Sequence, residues 1–166
     1  MRRLRRLVIS LMVVFYSGCS YGPLEPQMIS RLNDDAVNTL LSEDYEAILR
    51  RYPTWASMRG ERRFDALLAD NTPEGILKDL NGIRDRLERA RVIRKTELSS
   101  EAQTNLELLI WELEEELVAA QFHPEWMPIT QMGGPHTNLS QLPTRIRFTS
   151  EQHLRDYLLR LREIPG

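Results

Sequence analysis

The groups able to do chemistry are few and far apart. His123, His136 and His153 are the three histidines of the chain. A catalytic zinc takes three protein ligands in fixed geometry and keeps one position open. On a helix, a zinc pair sets two histidines four apart behind a His-Glu start. None of the three histidines is followed by Glu, and no two lie four apart. His123, Glu125 and His136 supply three nominal ligands across a loop, but histidines on outer faces or satisfied within the fold are the better reading. The acidic run Glu112, Glu114, Glu115, Glu116 reads as the solvated face of a helix rather than a cation site. No serine occupies a Gly-x-Ser-x-Gly elbow. Gly133-Gly134 lacks the spacing and the Lys-Ser/Thr of a phosphate loop. The expectation is a chain without a catalytic residue, metal site or cofactor of its own.

The least ordinary stretch is QMGGPHTNLSQLP, residues 131–143. Gly133 and Gly134 permit backbone angles that side chains forbid. Pro135 and Pro143 fix φ and should prevent helix on either side. An irregular path with exposed backbone groups is expected, either lining a cleft or merely turning the chain between two helices. Gln131, Gly134, Pro135, His136 and Asn138 are the candidate contacts if it lines a cleft.

Cys19 is the single cysteine, so no intrachain disulfide forms. Arg2, Arg3, Arg5 and Arg6 precede the apolar run Leu7–Tyr16, which is far shorter than the ~20 residues a spanning helix needs. A basic start, a short apolar core and small residues make a secretory signal peptide over residues 1–18. Tyr16-Ser17-Gly18-Cys19 resembles a bacterial lipobox, whose cysteine is lipidated and becomes the mature N-terminus; Tyr16 departs from the leucine usual there. The alternative is a free cysteine beside an ordinary cleavage site. The expectation is an exported chain held to a membrane of the cell envelope through Cys19, on the outer membrane or the periplasmic face in a Gram-negative cell. Losing residues 1–18 removes four arginines and no acid, so the net charge falls from −2 to −6. That balance argues against a nucleic-acid partner.

The elements that must position these groups are helical. Residues 19–32, with Pro23 and Pro26, read as the lipidated cysteine and a flexible tether, and residues 33–166 as one helical domain. Val37, Leu41, Tyr45, Ile48 and Tyr52 give one apolar face, ended or bent by Pro53. Thr72 and Pro73 announce a second helix, with Ile76, Leu80, Ile83, Leu87 and Ala90 as its face. Ser99 caps a third, striped by Leu106, Leu109 or Ile110, Leu113 and Leu117. A fourth starts near Thr149, where Thr149 and Gln152 have capping-box spacing, with Leu154, Leu158 and Leu161 buried. The fold class is all-α: four amphipathic helices forming a bundle, or the N-terminal slice of a larger helical protein.

Four pieces in series carry a resemblance: YEAILRRYPTWASMRGERRFDALLADNTPEG from Tyr45, LELLIWELEEEL from Leu106, QMGGPHTNLSQLP, and YLLRLREIP from Tyr157. Together they resemble the N-terminal portion of the domain-of-unknown-function 885 proteins, over nearly all of residues 38–165. The resemblance implies an exported lipoprotein grouped by fold with helical zinc metallopeptidases. It implies that zinc and its His-Glu motif belong to a later part of a longer protein, so that this chain is a fragment ending before the catalytic part. The loop at 131–143 would then line the cleft between the N-terminal helices and that part. A self-sufficient small envelope lipoprotein that binds a protein partner is the alternative.

The anchor is directly testable. Replacing Cys19 by alanine should release the protein from membranes or leave an unprocessed precursor on fractionation. Normal processing and membrane association of Cys19→Ala would remove the lipobox reading.

Overall fold

A computed structural model describes residues 26–130 and 133–164, and every regular element among them is a helix. The all-α expectation holds, but the described residues form six helices rather than four. The Cys19 position and the signal segment lie outside the described residues.

Two helices start where their sequence signals stand. Helix α3 (Pro73–Arg91) is capped by the Thr72 hydroxyl, which accepts from the Gly75 amide at 3.1 Å. Pro73 occupies the first helical position, where its missing N–H costs nothing. Helix α4 (Ser100–Ala120) is capped by Ser99, whose hydroxyl accepts from the Ala102 amide at 3.2 Å. Their facing stripes, Ile83, Leu87 and Ala90 against Leu106, Leu109 and Leu113, are buried as expected.

Helix α1 (Pro26–Arg51) differs in two respects. It begins at Pro26, so its first turns occupy part of the stretch read as a tether. Its buried residues are Val37, Leu40, Asp44 and Leu49, whereas Tyr45 and Tyr52 are about half exposed. The face is rotated because position 44 holds a carboxylate that is buried with a partner, which an apolar pattern does not register. Val37 and Leu40 complete the core with α3 and α4. A fully buried leucine such as Leu106 contributes roughly 1.5–3 kcal/mol there.

The three helices run in defined directions. Asn33 meets Glu97 at 3.1 Å at one end, and Arg51 meets Glu116 at 2.5 Å at the other, so α1 and α4 are parallel. Arg89 bonds Glu43, Arg86 bonds Asp44 and Arg51 reaches Asp79, so α3 is antiparallel to α1. The acidic run lies largely on a solvated face, as expected, with Glu112 and Glu115 exposed and Glu114 in a surface pair with Arg91; only Glu116 is drawn partly inward, to Arg51. Glu112 is exposed, yet partial desolvation raises its carboxyl above its ordinary value, with Asp44 and Glu116 adding to the effect.

The remaining helices answer to prolines. Pro53 ends α1 and starts α2 (Pro53–Met58), which turns back to form a second cluster of Leu49, Ala56 and Phe64. The segment read as irregular is mostly helix: α5 spans Pro135–Arg145. Pro135 sits at its first position, and Pro143 falls in its last turn, where only one hydrogen bond is lost. Helix α6 (Glu151–Arg162) is capped by Ser150, one residue after the expected Thr149, with the His153 amide donating to the Ser150 hydroxyl at 3.3 Å. Its buried residues are Tyr157 and Arg160, and the expected stripe residues Leu154 and Leu158 are exposed. Leu142, Ile146 and Tyr157 join α5 to α6 as a third cluster.

Arg160 docks that third cluster on the rest. It is fully buried, and its Nη2 donates to Ser57 Oγ at 2.6 Å, the Phe64 carbonyl at 2.5 Å and the Pro53 carbonyl at 3.4 Å. Burial draws the guanidinium below its ordinary value, and the nearby Asp65 acts against that. On the surface, Arg62 Nη2 donates to the Arg147 carbonyl at 2.6 Å and ties the same two parts.

Two outcomes follow for chemical denaturation. Arg160→Ala strips three acceptors of their charged donor and should cost about 3 kcal/mol, with Arg160→Lys recovering part of it. Arg86→Met leaves the Asp44 carboxylate buried alone and should cost roughly 3–5 kcal/mol at neutral pH. Burial already raises Asp44 above its ordinary value, with Arg86 opposing. Removing Arg86 raises it further, so the carboxyl is protonated in the fold at a pH where the unfolded chain ionises. The penalty on Arg86→Met should therefore be full at neutral pH and shrink as pH falls through the folded value. A penalty independent of pH would show that Asp44 is not its source.

Candidate functional site

A groove of about 1240 Å³ opens between the segment 66–72, α5 and α6. Its apolar lining includes Leu67 and Leu68 from one side, Leu139 and Leu142 from α5, and Leu159 and Ile164 from α6 and its end. Polar groups stand among them: Asp70, Asn71, Thr72, Asn138, Arg145 and Glu163. An apolar concavity with a few placed polar groups is the usual form of a binding site.

Each wall is held by a specific contact. The 66–72 wall is pinned to the start of α3, because Asp70 Oδ1 accepts from the Thr72 amide at 3.1 Å and the Thr72 hydroxyl at 2.7 Å. Those bonds hold the Asp70 carboxyl below its ordinary value. Gly75 is required where the wall meets α3, since a Cβ there would overlap the Asp70 side chain. Thr54 and Met58 of α2 extend this wall. Arg160 joins it to α6 from behind, through Pro53, Ser57 and Phe64.

The α5 wall is built at Gly134. The Gly134 amide donates to Thr137 Oγ1 at 3.1 Å, and the Thr137 hydroxyl returns a bond to the Gly134 carbonyl at 3.0 Å. Gly134 has φ 173, extended backbone that any residue adopts. What glycine supplies there is room: a Cβ would lie 3.1 Å from the His136 ring and 3.2 Å from the Pro128 carbonyl. That corrects the reading that rare backbone angles explain this glycine. Just before it, Thr130 and Gly133 form an isolated bridge, the Thr130 amide donating to the Gly133 carbonyl at 2.8 Å.

Of the five candidate contacts, Gly134, Pro135 and Asn138 line the groove. His136 is exposed at the start of α5 and is not part of the lining. Gln131 lies outside the described residues. The opposite wall, Leu67 to Thr72, escaped the sequence reading because that stretch carries no helical period. Leu139, Leu142 and Arg145 had a signal, a three-residue spacing, but the flanking prolines masked it.

The histidines do not gather. His123 takes a left-handed conformation, φ 49, after α4, and its Nδ1 lies 2.8 Å from Glu125 Oε1. Its ring stacks on Trp126 with centroids 4.1 Å apart. His153 sits at the start of α6 against Thr149. Among the described residues no three His, Cys, Asp or Glu side chains are grouped so as to hold a metal ion. The turn around His123 is instead an apolar tip, with Phe122 80 % and Trp126 74 % exposed.

No curated protein and no solved structure matches the chain. The family described as bacterial protein of unknown function (DUF885) has a model that matches residues 53–166, which takes in both walls of the groove and well over half of the sequence, and the chain belongs to that family.

Proposed function

We propose that this protein is a lipid-anchored, exported member of its family whose described helices bind an extended, apolar peptide in the groove and do not cleave it. The observation that carries the reading is the groove itself: leucines from three separate segments converge on it, and Gly134, Pro135 and Asn138 stand at its wall. Leu67, Leu68, Leu139 and Leu159 give the lining its apolar surface, and Asn71, Asn138 and Arg145 offer groups for a peptide backbone. The anchor rests on the order of residues ending at Cys19. The zinc chemistry that the family resemblance implies needs three converging ligands, and the described residues do not fit that requirement. No step through zinc is therefore assigned to them.

The test uses the full chain in mild detergent and a fluorescent leucine-rich peptide. Saturable binding is expected by anisotropy, weakened at least about tenfold by Ala69→Trp, which fills the groove from its half-buried wall without entering a core cluster. The peptide should remain intact with zinc added. Undiminished binding in Ala69→Trp would take the peptide out of the groove, and cleavage by the wild-type chain would overturn the non-catalytic reading.

A further inference from the structure

Helix α6 presents a face that no described residue covers. Glu151, Leu154, Leu158 and Arg162 stand on it at three- and four-residue steps, and all are exposed, Leu154 at 47 % and Leu158 at 46 %. The opposite side is committed, since Tyr157 and Arg160 are buried. Arg155 borders the free face and bonds Glu151 Oε1 at 2.6 Å. We propose that this face pairs with the same face of a second copy of the chain, the two α6 helices lying antiparallel.

The charge pattern selects both the occupant and the direction. When Leu154 of one copy lies against Leu158 of the other, Glu151 comes within about one residue's rise, ~1.5 Å along the axis, of Arg162 of the second copy. Two-fold symmetry repeats each contact, so four leucines are closed at both ends by an ion pair. The helix dipoles then oppose one another as well. A parallel arrangement would set Glu151 on Glu151 and Arg162 on Arg162, like charge on like. Arg155 is the one group the antiparallel pair does not favour, because its two copies approach on one flank. Each stays bonded to its own Glu151, and that flank is open to solvent and screened.

The size of the contact sets its strength. With 12 residues, α6 is ~18 Å long, and two such helices bury less than the ~1,000 Å² of a stable interface. The dimer is therefore weak, micromolar or looser. It needs neither the anchor nor an occupied groove, because Leu159, Glu163 and Ile164 line the groove from another side of α6.

The experiment uses the full chain with Cys19→Ser, so that an introduced cysteine is the only one. Under mild oxidation, Leu154→Cys mixed with Leu158→Cys should give a disulfide-linked heterodimer, and neither variant alone should link. Only the crossed pair brings the two Cα atoms within the ~7 Å that a disulfide allows. Without introduced cysteines, sedimentation should show concentration-dependent dimers. Glu151→Arg or Arg162→Glu should weaken association roughly tenfold, and the double variant should restore it. Linking of Leu158→Cys to itself, a chain monomeric at every concentration, or a double variant no better than the singles would overturn the proposal. Circular dichroism of each variant, unchanged from the parent, keeps loss of association separate from loss of fold.

Discussion

A guanidinium with no exposed surface sets the arrangement of the second half of this molecule. Arg160 reaches through α2 to the carbonyls of Pro53 and Phe64 and to the Ser57 hydroxyl. Only Nη2 of this buried guanidinium is hydrogen-bonded, while Nε and Nη1 have no partner among the described residues, so the elbow of α2 and the turn at Arg62–Phe64 must hold the geometry that keeps those three bonds. The apolar contacts between the two parts do not specify that geometry with comparable precision. Once Arg160 is seated, α6 is fixed in rotation: Tyr157 must point to Leu142 and Ile146, and Leu154 and Leu158 must point away. The groove follows from the same seating, because Arg160 holds α6 against α2 and the turn that leads into the 66–72 wall.

That seating also marks where sequence reasoning succeeds and fails. Thr72 and Ser99 act within three residues of themselves, and their caps, with the stripes of α3 and α4 behind them, were legible. The faces of α1 and α6 were read one step round the helix, and for one reason. In each, a charged residue, Asp44 or Arg160, takes a core position by virtue of a partner from elsewhere in the chain. Apolar periodicity records transfer free energy and is blind to that. Helix α5 was missed because proline is a breaker only inside a helix, and here it stands at the first position and in the last turn. The groove was half visible: the glycine–proline segment drew notice to Gly134, Pro135 and Asn138, while the 66–72 wall acquires meaning only when α3 and α6 bring it opposite α5.

The first three helices obey a different economy. Their leucines supply the stability, and the arginines of α1 and α3 mainly fix register, each meeting a carboxylate one or two turns from the next. The Asp44–Arg86 pair is the exception, being buried. It works as a locating pin: shifting α1 against α3 by one turn would leave two charges in a leucine core, a penalty of several kcal/mol against which no alternative packing competes.

The parallel course of α1 and α4 has a spatial consequence. The 26 residues of α1 make a rod of ~39 Å, and α4 lies beside it in the same sense. The turn bearing Phe122 and Trp126 therefore lies at the far end of that rod from Pro26. The exposed aromatic rings and the start of α1 thus belong to opposite ends of one rod, so a surface laid across either end meets one of them and not the other.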